Sequence, residues 1–261
     1  MWDMKKKTIY YEDELKDEFS GSHITPRTID DSYPYLRKGL GGRLLHIFWY
    51  RLVAVPVAAV CMQLFFHHKI VNRRVLKEYR KSGYVLYGNH TQPGADAVIP
   101  TLVCHPKRVS VIVHPDNVSM PVLGRITPYL GALPLPDTPK AAMHFMQAIQ
   151  SELSDKSCLM IYPEAHIWPY YTGIRPFTDL SFRYPVTAKV PVFCLTNTYQ
   201  KRRFSKRPRM VTYIDGPFFP DPSATTKVQK KQLRDKVYET MCLRALNNTM
   251  TVIDYVKKEP S

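Results

Sequence analysis

Short apolar runs alternate with helix-forming stretches from about residue 83 onward. Runs of this length and composition are typical of buried strands. The predicted strands are Tyr84–Tyr87, Val109–Val113, Ala132–Leu135, Cys158–Tyr162, Val190–Thr196 and Met210–Ile214. Because strands that alternate with helices are characteristic of α/β proteins, the pattern predicts an α/β domain over residues 83–261.

Two helices are predicted between and after these strands. Thr138 is a typical N-cap residue and Pro139 suits the first helical position, so one helix is expected to begin there and to continue through Leu153. Its apolar positions are assigned to core packing and to no chemistry. The stretch from Thr225 to Tyr255 is predicted to form a second amphipathic helix that is basic at its start.

The most apolar part of the chain covers residues 44–66. A helix needs about 20 apolar residues to span a bilayer, and this segment approaches that length. His46, Arg51 and Gln63 interrupt it, and Pro56 lies in its middle. We therefore expect two aromatic-rich half-helices lying in a membrane interface rather than one clean span. A buried core helix is the alternative.

Charge and polarity on either side of this segment suggest how the chain is divided. Basic residues follow it directly, from His67 to Lys81, and suit anionic lipid headgroups. The residues before it are polar, and Pro26 and Pro34 break any periodicity. We divide the chain into a polar N-terminal arm (1–40), membrane-docking helices (41–82) and the α/β domain (83–261). The arm is expected to be extended or poorly ordered.

The overall charge narrows the class of partner. The formal net charge is +15, which favours nucleic acid, an anionic membrane surface or phosphorylated substrates. The five cysteines are scattered and include no Cys-x-x-Cys pair, so reduced thiols in a cytosol-facing protein are expected. The histidines lack the spacing of metal ligands, and no metal site is predicted.

A histidine and a carboxylate follow the first predicted strand closely, in the turn from Asn89 and His90 to Asp96. A carboxylate that binds one ring nitrogen fixes the tautomer of a histidine and raises the basicity of the other nitrogen. The turn is therefore a candidate general base. Taken by itself, an Asn-His pair in a turn is more often a loop histidine with satisfied hydrogen bonds.

Four sequence blocks in a fixed order change that interpretation. They are the Asn89-His90 turn with Asp96, then Gly124–Pro136, Cys158–His166 and Val190–Asn197. In this order the blocks resemble the glycerolipid acyltransferases of the lysophosphatidic acid type, from about Tyr84 to Asn197. The resemblance implies a central mixed, mostly parallel sheet flanked by helices and preceded by N-terminal membrane-docking helices.

The chain departs from the family pattern at three places. Asp96 lies one residue further from His90, and we expect the flexible turn at Pro93-Gly94 to absorb the extra residue so that Asp96 still reaches His90. The family's phosphate-holding arginine after the second block is replaced by Pro136 or Asp137. The Gly-Thr-Arg of the third block is replaced by 165–167, which reads Ala-His-Ile.

The resemblance implies a mechanism and a set of site residues. His90 would accept the proton of an acceptor hydroxyl as that group attacks the thioester of acyl-CoA or an acyl carrier protein, and Asp96 would orient the ring. Glu164 would hold the acceptor or the His90 loop. Asn89 and Glu164 are the substrate-binding candidates in the matching blocks. This chain adds His166, which lies next to Glu164, and Arg175 and Arg125 as candidate substitutes for the missing family arginines. Acyl-CoA or the carrier protein is a co-substrate, and no resident cofactor is implied.

The leading hypothesis is thus an acyltransferase on the cytoplasmic face of a membrane, acting on a lysophospholipid or related lipid. One alternative is a lipid-binding relative with altered or lost catalysis. A second alternative is a nucleic-acid-binding protein, suggested by the basic run 201–209, although that run is more typical of a solvated hairpin and no known binding module accompanies it. We therefore expect no nucleic-acid partner. The sequence leaves the oligomeric state open.

Overall fold

The computed structural model describes residues 7–19, 21, 24–36 and 39–258. The strands are β1 (Lys7–Tyr11), β2 (Lys69–Val71), β3 (Tyr84–Gly88), β4 (Val109–Val113), β5 (Ala132–Pro134), β6 (Cys158–Ile161), β7 (Val192–Arg202), β8 (Ser205–Phe218) and β9 (Ile253–Lys257). The α-helices are α1 (Leu40–His46), α2 (Val55–Phe66), α3 (Ile99–Cys104), α4 (Asp116–Ser119), α5 (Leu123–Ile126), α6 (Pro139–Ser154), α7 (Arg183–Ala188) and α8 (Thr226–Ala245). A π-helical stretch, Ile47–Ala54, joins α1 to α2, and short 3₁₀ turns cover Arg73–Leu76, Thr127–Leu130 and Leu180–Phe182.

Seven strands form the main sheet, in the order β2-β8-β7-β3-β6-β4-β5. The strands from β7 to β5 in this order run parallel to one another. β8 is antiparallel to β7, and β2 pairs parallel with β8. The predicted mixed, mostly parallel sheet is therefore confirmed. β1 and β9 form a separate two-stranded parallel sheet.

The central strands are apolar throughout because both faces of the sheet are covered. In β3, Val85 and Tyr87 pack with residues of α6 and α8, on what we call the α8 face. Tyr84 and Leu86 point the other way and pack with residues of α2 and α3, on the α3 face. Strands of a parallel sheet buried on both sides lack a polar alternation, which explains the continuous apolar runs in the sequence.

Of the two helices predicted in the domain, the first agrees with the structure and the second ends earlier than predicted. Helix α6 begins at Pro139 and ends at Ser154, and the Thr138 side chain accepts a hydrogen bond from the Ala141 amide, which confirms the predicted cap. The C-terminal prediction is wrong beyond Ala245, where α8 ends. The Asn248 side chain bonds the backbones of Tyr199 and Ala245, and such local Asn contacts stop a helix. Part of the remaining stretch forms β9.

The apolar segment forms one continuous helix, Leu40–Phe66, rather than two half-helices. The break expected at Pro56 is avoided because the helix widens just before it. The Val55 amide donates to the Tyr50 carbonyl, five residues back, as in a π-helix. Proline lacks an amide hydrogen and crowds the preceding turn, and the wider turn accommodates both effects without ending the helix.

Most of this apolar helix is exposed. Tyr50, Ala58 and Met62 are buried against the domain. Ten large apolar side chains on its other sides are exposed: Leu40, Leu44, Leu45, Ile47, Phe48, Leu52, Val57, Val60, Leu64 and Phe65. Only 11% of its most apolar window is buried, and among the described residues it is the one helix long and apolar enough to cross a membrane.

The N-terminal segment packs onto the domain, in contrast to the expected extended or poorly ordered arm. Ile29, Tyr33 and Tyr35 are buried in the cluster on the α8 face, and the Tyr35 hydroxyl donates to the Pro134 carbonyl at 3.1 Å. Scattered aromatic residues anchor this segment one at a time, so no sequence period indicates their burial. Residues 1–6, 20, 22–23 and 37–38 of the predicted arm lie outside the described residues. The division at residues 40 and 82 stays a prediction, although β2 places part of the 41–82 segment in the main sheet.

Candidate active site

The candidate site lies at the ends of β3 and β6, beside the middle of the neighbouring parallel strand β7. β3 ends at Gly88 and leads to His90, β6 ends at Ile161 and leads to Glu164, and β7 passes through Asn197. These strands are adjacent, in the order β7-β3-β6. Because the carboxyl ends of parallel strands meet at one edge of a sheet, side chains from three separate sequence blocks come together there, which is the usual place for a site in such folds.

The His90 ring binds the Asp96 carboxylate. His90 Nδ1 lies 2.9 Å from Asp96 Oδ2, and the His90 side chain is only 17% exposed. A carboxylate can only accept hydrogen bonds, so Nδ1 carries the hydrogen and Nε2 presents its lone pair. No described residue forms a hydrogen bond with Nε2. The ring is thus held with one nitrogen available to accept a proton.

The extra residue of the turn is accommodated by a loop that projects outward. The Asp96 amide donates to the Gln92 carbonyl at 3.0 Å and closes a single helical turn. Pro93 and Gly94 are exposed at its tip, and a side chain at Gly94 would meet no atom within 4 Å. Asp96 comes back toward the strand end, and its distance to His90 agrees with the expectation from the sequence.

The Asp96 carboxylate organises the whole turn. Oδ2 also accepts from the amides of Thr91 and Gln92, each at 2.8 Å. Oδ1 accepts from the Asn197 side chain at 3.3 Å. The side chain is 1% exposed, and all four of its partners are donors, which matches the acceptor-only character of a carboxylate. The orientation of the His90 ring is therefore fixed by several independent contacts.

Tyr162 supports the other side of the His90 ring. The two rings stack with centroids 4.3 Å apart and planes 16° apart. The Tyr162 hydroxyl donates to the Asp96 carbonyl at 2.5 Å, and burial raises the pKa of Tyr162 well above its ordinary value. The sequence analysis missed this residue, although it directly precedes Pro163-Glu164 in the third block. Its position at a strand end beside the predicted site was the available signal.

Glu164 holds the backbone of the turn rather than contacting the His90 ring. Oε2 accepts from the His90 amide and Oε1 accepts from the Arg175 amide, both at 2.9 Å. The Arg175 guanidinium lies 3.5 Å from Oε2, and both side chains are almost fully buried. Burial raises the pKa of Glu164, while Arg175 and the two amides oppose that shift. Of the two roles implied for Glu164, these contacts match holding the His90 loop.

The other predicted substrate-binding residues differ in their surroundings. Asn89 joins β3 to β7, since its side chain exchanges two hydrogen bonds with the Asn197 backbone. Arg175 is buried, and its guanidinium donates to the carbonyls of Glu14 and His166 in addition to pairing with Glu164. His166 pairs with Glu18 at 3.4 Å. These contacts join β3 to β7 and join the N-terminal segment to the residues that follow β6.

Arg125 is not brought to the His90 turn. It is exposed on α5, which leads through the 3₁₀ turn into β5 at the edge of the sheet. β5 lies three strands away from β3, or about 14 Å across the sheet. No described residue pairs with the Arg125 side chain. The structure therefore separates this candidate from the residues that surround His90.

A hydrogen-bonded chain, unexpected from the sequence, continues from Asp96 to the end of the apolar helix. The Thr212 hydroxyl donates to Asn197 Oδ1 at 2.6 Å, and His68 Nε2 lies 2.7 Å from the same hydroxyl. Because that hydroxyl uses its hydrogen on Asn197, it accepts from His68 Nε2. Burial lowers the pKa of His68 to about 4. His68 and Thr212 are 144 residues apart in the chain, and only the fold brings them together.

Comparison with known proteins agrees with this arrangement. A protein-family model described as Acyltransferase matches residues 67–197, which is half of the chain. The chain belongs to the acyltransferase family. This confirms the resemblance found in the sequence, and the matched region contains the His90 turn, Glu164 and Asn197. No curated protein matches the sequence.

A solved structure shares the fold of this family member. It is the 1-acyl-sn-glycerophosphate (LPA) acyltransferase PlsC from Thermotoga maritima. The two proteins superpose with a TM-score of 0.51 at 13% sequence identity, over 77% of this chain and 78% of that chain. At this identity the likeness supports the fold and the position of the sheet and helices.

The N-terminal segment contacts two of the three regions in which this chain departs from its family's sequence pattern. The side chain of Asp137 accepts from the Ile29 amide at 2.7 Å. Trp168, just after the altered third block, is buried, and its indole donates to the Asp17 carbonyl at 2.7 Å. Where the resemblance implies phosphate-binding arginines, this chain binds its own N-terminal residues instead.

The described part of the chain contains no cluster of side chains that could bind a metal ion. No group of three or more His, Cys, Asp or Glu side chains there lies close enough to hold a metal ion. The five cysteines are free thiols, three of them buried.

Proposed function

We propose that this protein is a membrane-associated acyltransferase that moves a fatty acyl group from an acyl-CoA or acyl-carrier-protein thioester to a hydroxyl of a lysophospholipid or related lipid. The observation that carries the proposal is the His90–Asp96 pair at the carboxyl edge of the sheet, with His90 Nε2 available. Membership in the acyltransferase family supports the reaction class. His90 is the proposed general base and acts without a protein nucleophile.

The proton path of this reaction follows from the ring geometry. His90 Nε2 accepts the proton of the acceptor hydroxyl as the oxygen attacks the thioester carbonyl carbon. The bond from that carbon to sulfur breaks, and the imidazolium returns the proton to the departing thiolate. Asp96 stabilises the charged ring through Nδ1. A new ester and a free thiol result, and the enzyme regains its starting protonation state.

The acceptor proposed here differs from a simple glycerol phosphate. Arg175 is engaged by Glu164, and Arg125 lies near β5, three strands away from β3. The N-terminal segment contacts Asp137 and Ile167, where the family pattern has phosphate-binding groups. These contacts favour a lipid whose recognition does not depend on a terminal phosphate, such as a lysophospholipid with a substituted headgroup.

Exposure of the apolar helix supports membrane association, and the free thiols of the five cysteines support the cytoplasmic face. The helix presents ten large apolar side chains outward, and large exposed apolar patches mark membrane or protein contacts. The helix also packs along the domain through Tyr50, Ala58 and Met62. If the helix lies in the membrane interface, its exposed apolar side chains face the lipid while Tyr50, Ala58 and Met62 stay packed against the domain.

The test is acyl transfer by the purified full chain. The donors are acyl-CoA and acyl carrier protein loaded with an acyl group, each with a radiolabelled acyl chain. The acceptors are glycerol phosphate, lysophosphatidic acid and lysophospholipids with choline or ethanolamine headgroups. We expect transfer to at least one lysolipid, and a loss of about 10²- to 10⁴-fold in His90→Ala. His144→Ala, on helix α6, is the matched control and retains activity.

Two outcomes would refute the proposal. If His90→Ala transfers as fast as the wild type, His90 is not the base. If the wild type transfers no acyl group from either donor but binds lysolipids, the protein is the lipid-binding relative considered from the sequence.

A further inference from the structure

A basic cavity lies at the opposite end of β3 from the His90 turn. Its volume is about 240 Å³. Six of its lining residues carry cationic or imidazole side chains: Arg73, Arg74, Lys77, Arg80, His105 and Lys107. Leu76, Tyr84, Val103 and Cys104 complete the wall, and no lining residue is acidic. Tyr84 begins β3 and His90 lies six residues further on, so about 20 Å of extended chain separates the cavity from the candidate base.

Two of the cations build the walls of this basic pocket. Arg73 donates to the carbonyls of Val103 and His105, at 2.8 and 2.6 Å. Lys107 donates to the carbonyls of Arg80 and Ser82, at 3.1 and 2.9 Å. These bonds fix the positions of the two charges but leave them unneutralised, since a carbonyl carries no formal charge.

The remaining three cations have no partner in the described part of the protein. Arg74, Lys77 and Arg80 are exposed at the rim, and they form no hydrogen bond or ion pair through their side chains there. A concave site with several cations and no carboxylate favours an anion with several acceptor oxygens. Arginine and lysine side chains bind phosphate in this way.

The apolar helix borders the same pocket. Arg51 interrupts the exposed apolar side of the helix, and its guanidinium donates to the Pro106 carbonyl at 3.3 Å. Pro106 lies between His105 and Lys107, which both line the pocket. Tyr50 lies beside Arg51 and bonds the Val109 amide at 3.1 Å. The polar rim of the cavity therefore meets the apolar surface of the helix.

We propose that this basic pocket binds the phosphate group of an anionic membrane phospholipid while the apolar helix lies flat in the interface. The basic pocket and the apolar side of the helix lie next to each other. A phospholipid likewise has a phosphate next to its acyl chains, so its phosphate can bind in the pocket while its acyl chains contact the helix. At its other end the helix leads to His68, which joins the hydrogen-bonded chain to Asp96. One docked helix thus brings both the pocket and the carboxyl edge of the sheet to the lipid surface.

The proposal rests on the proposed membrane association but not on acyl transfer. A protein without transferase activity could still bind lipid through the pocket, and a failure of the pocket would leave the His90 chemistry standing. Binding and transfer are therefore measured separately, with vesicle sedimentation for the first and the labelled-acyl assay for the second.

The experiment compares two double charge reversals in the full chain. Arg74→Glu with Arg80→Glu alters the rim of the pocket. Lys227→Glu with Lys236→Glu alters exposed positions on α8, which covers the other face of the sheet, and it changes the net charge by the same amount. Sedimentation uses vesicles of phosphatidylcholine alone and of equal parts phosphatidylcholine and phosphatidylglycerol.

We expect the wild type and the α8 variant to bind the anionic vesicles equally well. The pocket variant is expected to bind them at least about 25-fold more weakly, because each basic side chain near an anionic surface contributes about fivefold. Circular dichroism checks that both variants are folded. Hydrogen exchange of the wild type is expected to show protection of residues 73–80 by anionic vesicles only.

Three results would overturn the proposal. Equal weakening of both variants would show diffuse attraction by net charge. Unchanged binding of the pocket variant would assign docking to the apolar helix alone. Protection of residues 73–80 by soluble glycerol phosphate, with none by anionic vesicles, would identify a soluble anion as the occupant.

Discussion

The two ends of β3 differ in how their charges are matched. At the carboxyl end, Asp96 accepts four hydrogen bonds, and Glu164 is held by two amides and Arg175. At the amino end, the basic pocket gathers cations around Tyr84, and the three at its rim have no partner in the described residues. The same strand thus joins a region of satisfied, buried charge to a region of unsatisfied, exposed charge.

This difference assigns the two ends of β3 to two separate functions, a chemical reaction at the His90 turn and anion binding at the basic pocket. Saturated hydrogen bonding fixes the ring of His90 and leaves one nitrogen available, which suits a reaction. Unpaired cations at a rim gain most when an external anion arrives, which suits binding. Changes at the His90 turn should therefore alter turnover without altering vesicle binding, and changes at the pocket should alter vesicle binding and leave the His90 chemistry intact.

The largest effect is expected from Asp96→Asn. An asparagine amide in place of the carboxylate allows the His90 ring to present its hydrogen at Nε2, which is the wrong tautomer for a base. By analogy with the buried aspartate of serine proteases, turnover should fall by about 10⁴-fold. The measurement is kcat with the best lysolipid acceptor.

Vesicle binding is the control for this variant and should equal that of the wild type. If Asp96→Asn loses binding and activity together, the comparison between the two ends of β3 fails, because the turn would then contribute to docking. If it retains turnover, the contact between His90 and Asp96 is not part of the mechanism.

A smaller effect on turnover is expected from Glu164→Gln. The amide removes one of the two acceptors for the amides of His90 and Arg175, and it leaves the Arg175 guanidinium without its anionic partner. Breaking a buried ion pair in this way lowers the free energy of unfolding by about 3 kcal/mol or more. The displaced His90 backbone should lower kcat by up to about 100-fold.

Glu152→Gln provides the matched control for that variant. Glu152 is also buried, and it binds Ser110 and Arg108 outside the His90 site. Denaturant unfolding should show that both variants are less stable, whereas only Glu164→Gln should lower kcat beyond its loss of folded protein. Equal kcat values for the two variants would contradict a positioning role for Glu164.

Local patterns were sufficient to predict much of this structure. The apolar runs predicted the main strands because strands buried on both faces are apolar at every position. Thr138-Pro139 predicted the start of α6 through rules that act within one turn. The family resemblance carried by the ordered blocks implied that His90 and Glu164 belong to one site, and the structure brings the two residues together at the carboxyl ends of β3 and β6. Asn197 was not among the predicted site residues.

Long-range pairings could not be predicted in the same way. Nothing local indicates that Ile29 bonds Asp137 or that His68 bonds Thr212, because each pair depends on the finished fold. The π-helical turns before Pro56 also have no sequence period of their own. The expected break at Pro56 was wrong for this reason. The expectation of an extended or poorly ordered arm did not include the packing of its described part onto the domain.

The smallest predicted effect concerns His68, where the apolar helix meets the hydrogen-bonded chain to Asp96. Burial lowers its pKa from 6.5 to about 4. Between these values the unfolded chain takes up a proton that the folded protein does not, so the free energy of unfolding rises with pH across this window and is fully retained above it. In His68→Gln the side chain can still donate to Thr212 but does not titrate, so its stability should rise less steeply with pH. Thermal unfolding between about pH 4 and pH 6.5 measures the slope, with the neighbouring His67→Asn as the control that keeps it. Equal slopes in the wild type and His68→Gln would show that the fold does not hold the His68 ring neutral. The polar groups at the carboxyl end of β3 would then be less completely paired than their contacts indicate.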